Sequence, residues 1–295
     1  MWPAHHTLFS HLVSDNSLAE LHQFAAAAQL SGRAFDGDHY DVPEARHEQL
    51  VDQGAVPVTA GELIRRLRAS GLRVPARERP SHVQRVLQDR WRALAPDAPE
   101  LGTELLNRWS EPHRRYHTPV HLLDVLTALD QLSGPGGPPT AVVLATWFHD
   151  AVYDMTGADE EASAQLATDR LREFSGSLRL DAGHEVALTR EVARLVLLTR
   201  SHSPQHDDVG GSLLCDADLA VLGRSPARYA RYVEAVRAEY AHVSEPDWQA
   251  GRSAVLHHLL DKDSLFHTRT GAQRWEQAAR HNLAGELTAL QWHAR

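Results

Sequence analysis

The stretch Ala141 to Phe148 (Ala-Val-Val-Leu-Ala-Thr-Trp-Phe) is apolar on nearly every side and runs directly into His149-Asp150. A helix of that kind has no face for solvent and folds only inside a shell of other elements. An ionised carboxylate at its end is costly unless it is paired or coordinated. Asp150 therefore either shares a buried hydrogen bond with His149 or joins a charged site. Neighbouring helical side chains diverge by about a third of a turn. An imidazole and a carboxylate differ in reach, however, so both can approach one ion at a helix end.

The rest of the C-terminal two-thirds supplies the shell. Val83 to Leu94 has helical spacing. Thr118-Pro119 is a cap followed by a first-turn proline, opening a helix to about Leu132, and Ser133 to Pro139 is a breaker loop. Thr140 is placed to cap a helix Ala141 to Tyr153. Further helices are predicted over Asp159 to Phe174, Val186 to Thr199, Asp216 to Leu222, Ser225 to Ala241, Pro246 to Leu260 and Ala272 to Leu290.

Two other segments carry residues of the same chemistry. His117 and His121 flank the helix start at Thr118-Pro119, where anions are favoured. A pair of surface histidines would look the same. Asp218 lies in the apolar run Leu213 to Leu222. Asp216 has an explanation as a helix cap; Asp218, inside the helix, has none. Two histidines and two aspartates suit a hard-to-borderline divalent ion.

Composition removes several other classes. The chain has 295 residues, enough for one large domain and a small one, and 42% hydrophobic residues, too many for a disordered protein. Its net charge of −9, with no long run of one sign, gives no nucleic-acid footprint and no membrane-surface patch, while leaving room for a small anionic substrate. Cys215 is the single cysteine, so a disulfide within the chain and a cysteine-rich zinc site are excluded; beside Asp216 it reads as a small core residue. No apolar stretch reaches membrane-spanning length and no basic-then-apolar leader is visible, so a cytoplasmic protein is the default expectation.

Taken together, His121, His149-Asp150 and Asp218 resemble the signature of the HD superfamily of metal-dependent phosphohydrolases. Four blocks are similar to those of a little-characterised branch of it: Arg114 to His117, His149 to Asp154, Asp159-Glu160 to Ser163, and Asp218 to Gly223. The third block departs from the pattern, with Asp159 in place of asparagine. The motifs around His117, His121 and Asp218 are also like those of cyclic-nucleotide phosphodiesterases. The resemblance implies an all-α bundle of about eight helices holding one or two divalent ions (Mn, Fe, Co, Zn or Mg). His121, His149, Asp150 and Asp218 would be the metal ligands. His117 would protonate the leaving alkoxide, Arg114 would clamp phosphate, and Glu160 would orient a water or a ligand histidine. Asp154 would be a turn residue or would support the ligands, and His202 would serve a second metal or the phosphate. The implied function is hydrolysis of a phosphate ester by metal-activated water. The implied partner is a small phosphorylated substrate, a nucleotide or related metabolite. Two alternatives share the fold: a di-iron oxygenase drawing further ligands from His202 or His113, and a nucleotide-sensing domain without turnover.

The N-terminal segment is set apart by Val74-Pro75-Ala76-Arg77-Glu78-Arg79-Pro80, which reads as a linker. Residues 1–79 are predicted to form a small α/β module and residues 80–295 the helical domain. Within the module, helices are expected over Ser17 to Leu30, from Pro43 towards Gln53 and over Glu62 to Ala69, with a short strand at Val56 to Val58. Trp2-Pro3-Ala4-His5, Ser10 to Asp15 and Asp38 to Pro43 resemble a small bacterial domain family of unknown function. That family's pattern places a short strand before Trp-Pro-Ala-His, whereas this chain begins at Met1-Trp2. Either the strand is dispensable or the natural start lies upstream. His5, His11, Asp38, His39 and Asp41 offer a second metal or phosphate site. The favoured reading is instead a turn over Asp36 to Asp41 whose acids bond backbone amides. Arg65, Arg66, Arg68, Arg73, Arg77 and Arg79 read as a solvated helix face followed by a charged linker, not as a nucleic-acid contact.

Overall fold

The computed structural model describes residues 2–4, 7–70, 72–75, 78–177 and 182–293. It divides into two compact units, Met1–Val86 and Leu87–Arg295. The division falls inside helix α4 (Pro80–Leu94), a few residues beyond the boundary expected at residues 79–80.

The first unit holds a three-stranded antiparallel sheet in the order β1 (Trp2–Ala4), β2 (Thr7–Leu12), β3 (Tyr40–Pro43). Helix α1 (Leu18–Ala27) starts at Ser17, whose hydroxyl accepts the Glu20 amide. Tyr40 and Val42 on one sheet face meet Leu21, Ala25, Ala28 and Leu50 to form its core. Helices α2 (His47–Asp52) and α3 (Ala60–Ala69) follow. One expectation holds here and one fails. Pro43 ends β3 and is the N-cap of a 3-10 turn (Glu44–Arg46) that runs into α2, whose C-cap is Gln53, so the helix expected from Pro43 towards Gln53 is present. Val56 to Val58 is irregular, not a strand, and Val56 is exposed.

The second unit is a helical bundle: α5 (Pro99–Trp109), α6 (Pro119–Leu132), α7 (Thr140–Phe148), α8 (Asp159–Glu173), α9 (Ala182–Leu198), α10 (Val209–Asp218), α11 (Pro226–Glu239), α12 (Glu245–Leu260) and α13 (Arg269–His293). Helix α7 is the buried one, packed against α6, α8, α9 and α10. Trp147 and Phe148 are fully enclosed, as are Leu105, Leu122, Leu129 and Leu144. Each such side chain contributes roughly 1.5–3 kcal/mol. Helix α5 escapes the sequence reading, although Pro99 opens it and Leu101, Leu105, Leu106 and Trp109 form its buried stripe. Gly102 lets α5 approach the Trp91 indole, into which any Cβ there would run.

Two helix boundaries differ from expectation in ways that matter for the site. Helix α7 stops at Phe148, with His149 at its C-cap, so Asp150 to Tyr153 lie beyond the helix. Thr140 makes no capping bond, and neither does Thr118. Helix α10 begins at Val209 and runs through Asp216 to Asp218, and a 3-10 turn (Leu219–Gly223) continues it. Asp216 is therefore no cap for its own helix. Its buried carboxylate accepts the His267 and Thr268 amides and the Thr268 hydroxyl at 2.6–2.7 Å, just before α13.

Candidate metal centre

The four expected ligands sit at helix ends. His121 is in the first turn of α6, His149 caps α7, Asp150 follows it, and Asp218 is the last residue of α10. Bundle packing brings these ends together. His121 Nε2 and His149 Nε2 are 3.4 Å apart. Asp150 Oδ2 lies 3.2 Å from His149 Nε2 and 3.8 Å from His121 Nε2. Asp218 Oδ1 lies 3.2 Å from His121 Nε2 and 3.7 Å from His149 Nε2. Donor atoms bound to one first-row ion at 2.0–2.2 Å stand about 3.0–3.5 Å apart. His121, His149 and Asp150 form a group able to hold a metal ion, and Asp218 faces both of its imidazoles.

The donor set fits a cation on chemical grounds as well. His149 Nδ1 lies 2.8 Å from the Thr146 carbonyl, which can only accept, so Nδ1 carries the hydrogen. In the neutral ring Nε2 then presents its lone pair to the cluster. The C-terminal ends of α7 and α10 add negative dipole potential at the same place. Burial opposes charge on Asp150 and Asp218, yet the neighbouring imidazoles hold both carboxyls below the usual carboxylate range. Burial likewise opposes charge on His149, but Asp150 and Asp218 outweigh it and raise the imidazole well above its ordinary value. A cation at this point would displace that proton.

His117 stands at the rim. Its Nε2 is 3.9 Å from Asp150 Oδ2, and its Nδ1 donates to Glu239 Oε2 at 2.8 Å. Glu239, in the last turn of α11, was not singled out from the sequence. Its Oε1 accepts the backbone amides of Arg115, Tyr116 and His117 at 2.7–2.9 Å, and Tyr153 donates to Oε2. Burial pushes Glu239 up, but the His117 and amide bonds outweigh it and lower it to about 2. The available signal was a carboxylate three residues after Val236, on the buried face of an amphipathic helix.

Other expectations are corrected. Arg114 cannot clamp phosphate, because its guanidinium is buried and fully engaged. It donates to Glu111 through Nε and Nη2, to the His117 and Asp150 carbonyls through Nη1, and to the Ala151 carbonyl through Nη2. Those five bonds match its five N–H groups, and they tie the His149-Asp150 turn to the segment before α6. Glu160 lies in the first turn of α8, and no hydrogen bond or ion pair joins it to the cluster among the described residues. The work in that block falls to its neighbours. Ser163 Oγ bonds both the Val152 amide and carbonyl, and Asp159 accepts the Asp154 amide. Asp154 itself is exposed and lies in an irregular stretch. His202 donates from Nε2 to Asp218 Oδ2 at 2.8 Å, which orients that carboxylate; its backbone is left-handed, with φ +46°. His113 turns away, its Nε2 bonding the Tyr153 carbonyl at 2.7 Å. Burial pushes the Cys215 thiol up, against any thiolate chemistry.

One cation near the cluster is uncommitted. Arg224 lines a crevice with His121, Asp124 and Asp218, and its guanidinium makes no hydrogen bond or ion pair among the described residues.

Residues 1–70 match a family described as "Protein of unknown function (DUF4031)", in line with the resemblance of the N-terminal segment to a domain family of unknown function. No curated protein matches the chain. No solved structure matches it. Among the described residues, no helix is long and apolar enough to cross a membrane.

Proposed function

We propose that the second unit is an HD-type, divalent-metal-dependent hydrolase acting on the phosphate ester of a nucleotide or related small metabolite. One observation carries the reading: donor atoms of His121, His149 and Asp150, from two segments far apart in sequence, lie close enough to hold one ion, and Asp218 from a third segment faces both imidazoles. His121, His149, Asp150 and Asp218 are the residues that would hold the ion. When bound, the ion supplies Lewis acidity towards a phosphoryl oxygen and lowers the pKa of water by several units.

The chain's own residues supply the remainder. Glu239 fixes the hydrogen on His117 Nδ1, which leaves Nε2 to hold a proton on the cluster side. From there it is given to the departing ester oxygen. Arg224, which lines a narrow crevice with His121 and Asp218, takes the phosphate role in this reading, since its planar fork suits two phosphate oxygens. His202 keeps Asp218 turned towards the imidazoles.

The test is a phosphoester panel on metal-stripped protein given manganese, cobalt, iron or zinc. Metal-dependent hydrolysis is expected. His117→Ala should slow alkyl phosphate esters by about 100-fold or more, spare aryl esters with good leaving groups, and keep its metal. Full alkyl-ester turnover in that variant contradicts the acid role, and no turnover with any metal contradicts the hydrolase reading.

A further inference from the structure

A second cluster of imidazoles and carboxylates stands in the first unit, and strand geometry assembles it. In the β2–β3 ladder His11 is directly opposite Asp41, so their side chains share a face. His39 precedes β3 by one residue and therefore projects with Asp41, on the side opposite the core residues Tyr40 and Val42. The result is three converging donors. His11 Nε2 and His39 Nε2 each lie 3.4 Å from Asp41 Oδ1, and the two rings meet edge to face at 4.2 Å.

Protons do not account for this arrangement. Asp41 Oδ1 is buried and accepts no hydrogen bond, a costly state for a polar group and more so for a charged one. His39 Nδ1 donates to Asp38 Oδ1 at 2.7 Å. Asp38, fully buried, is held in turn by Arg73 Nη1 at 2.8 Å and the Val74 amide at 2.7 Å. The hydrogen of a neutral His39 is therefore on Nδ1, and its Nε2 lone pair faces a carboxylate oxygen that also has only lone pairs to offer. A carboxylate behind a histidine, setting its tautomer from the far side, is the usual support of a metal-ligating imidazole. The backbone-amide role expected for these acids describes one bond of Asp38, and it leaves Asp41 unexplained. His5 lies outside the described residues.

We infer that His11, His39 and Asp41 form a metal centre of the N-terminal unit, with Asp38 as the positioning residue behind His39. Two imidazoles and one carboxylate suit zinc or another borderline transition ion, and three protein ligands leave a coordination position for water or substrate.

The full-length chain is stripped with chelator and dialysed against buffered free zinc, and bound equivalents are counted. His11→Gln and Asp41→Asn are each expected to bind one equivalent fewer than the parent chain. Asp38→Asn is expected to weaken that equivalent by about 10–100-fold without removing it. Asp150→Ala reports on the other cluster. If the bundle binds no ion, the parent chain holds one equivalent and His11→Gln none; if both clusters bind, the parent holds two. Equal stoichiometry in the parent and His11→Gln, with His11→Gln folded by circular dichroism, overturns the inference. His11 is at the rim of the cluster, so this result stands even if Asp41→Asn fails to fold.

Discussion

The two histidine–carboxylate clusters are assembled by different means. In the N-terminal unit one ladder register sets His11 against Asp41, and strand alternation adds His39. Local geometry suffices there, and a slip of one residue would send the set to the other face. In the bundle the donors sit on the ends of α6, α7 and α10, and no local rule brings those ends together. Struts do so instead. Arg114 joins the segment before α6 to the turn after α7, Ser163 holds that turn to α8, and Glu239 pins Arg115 to His117 from α11. A site built from a register needs few supports; a site built from helix ends depends on its supports as much as on its ligands.

That contrast can be broken or sharpened by substitution. The largest effect is expected from Asp150→Ala, which leaves His149 and His121 with one carboxylate. Metal affinity at the bundle cluster should fall by more than the ~10–100-fold that loss of an outer partner costs, and hydrolysis should fall with it. Unchanged metal-dependent turnover would break the comparison at its root. Next comes Arg114→Ala, expected to cost about 3–5 kcal/mol in denaturant unfolding, since it leaves the His117, Asp150 and Ala151 carbonyls without that donor, at about 1–3 kcal/mol each where buried. Arg224→Ala should cost less stability than Arg114→Ala while raising KM for phosphate esters. If Arg114→Ala proved harmless and Arg224→Ala unfolded the protein, the two roles would have to be exchanged.

A further effect is a pH dependence. Glu239 is lowered to about 2 in the folded protein against an ordinary 4.5. A depressed carboxyl stabilises the fold fully above its unfolded pKa, and that contribution is lost as pH falls through the folded value. The stability gap between the parent chain and Glu239→Gln should thus shrink by about 3 kcal/mol between pH 5 and pH 2. A gap that stays constant over that range would remove Glu239 from its place as the anchor of His117.

The legibility of the sequence follows the same division. The bundle's candidate ligands stood out in the sequence because an acid or imidazole in an apolar run needs a reason to be there, as with Asp150 after Phe148 and Asp218 after Leu214. The struts were not readable. Arg114 looks like any arginine beside a histidine, and the carbonyls that exhaust it come from residues 117, 150 and 151. Glu239 is more than a hundred positions from the amides it holds, so its partners exist only in the fold. Helix α7 was legible by its apolar surface but not by its end, because backbone bonding beyond Phe148 is set by Arg114 and Ser163, not by a local stop signal. In the N-terminal unit the strands were missed for a different reason: β3 is four residues long, and its alternation is masked by the flanking acids of Asp36 to Asp41.

The central claim is that one cation binds between His121, His149, Asp150 and Asp218. Crystals of the cobalt-loaded chain, measured on either side of the cobalt absorption edge, test it directly. The expected result is an anomalous peak about 2.0–2.2 Å from His121 Nε2, His149 Nε2 and oxygens of Asp150 and Asp218. Empty density at that point, in crystals saturated with cobalt, would contradict it.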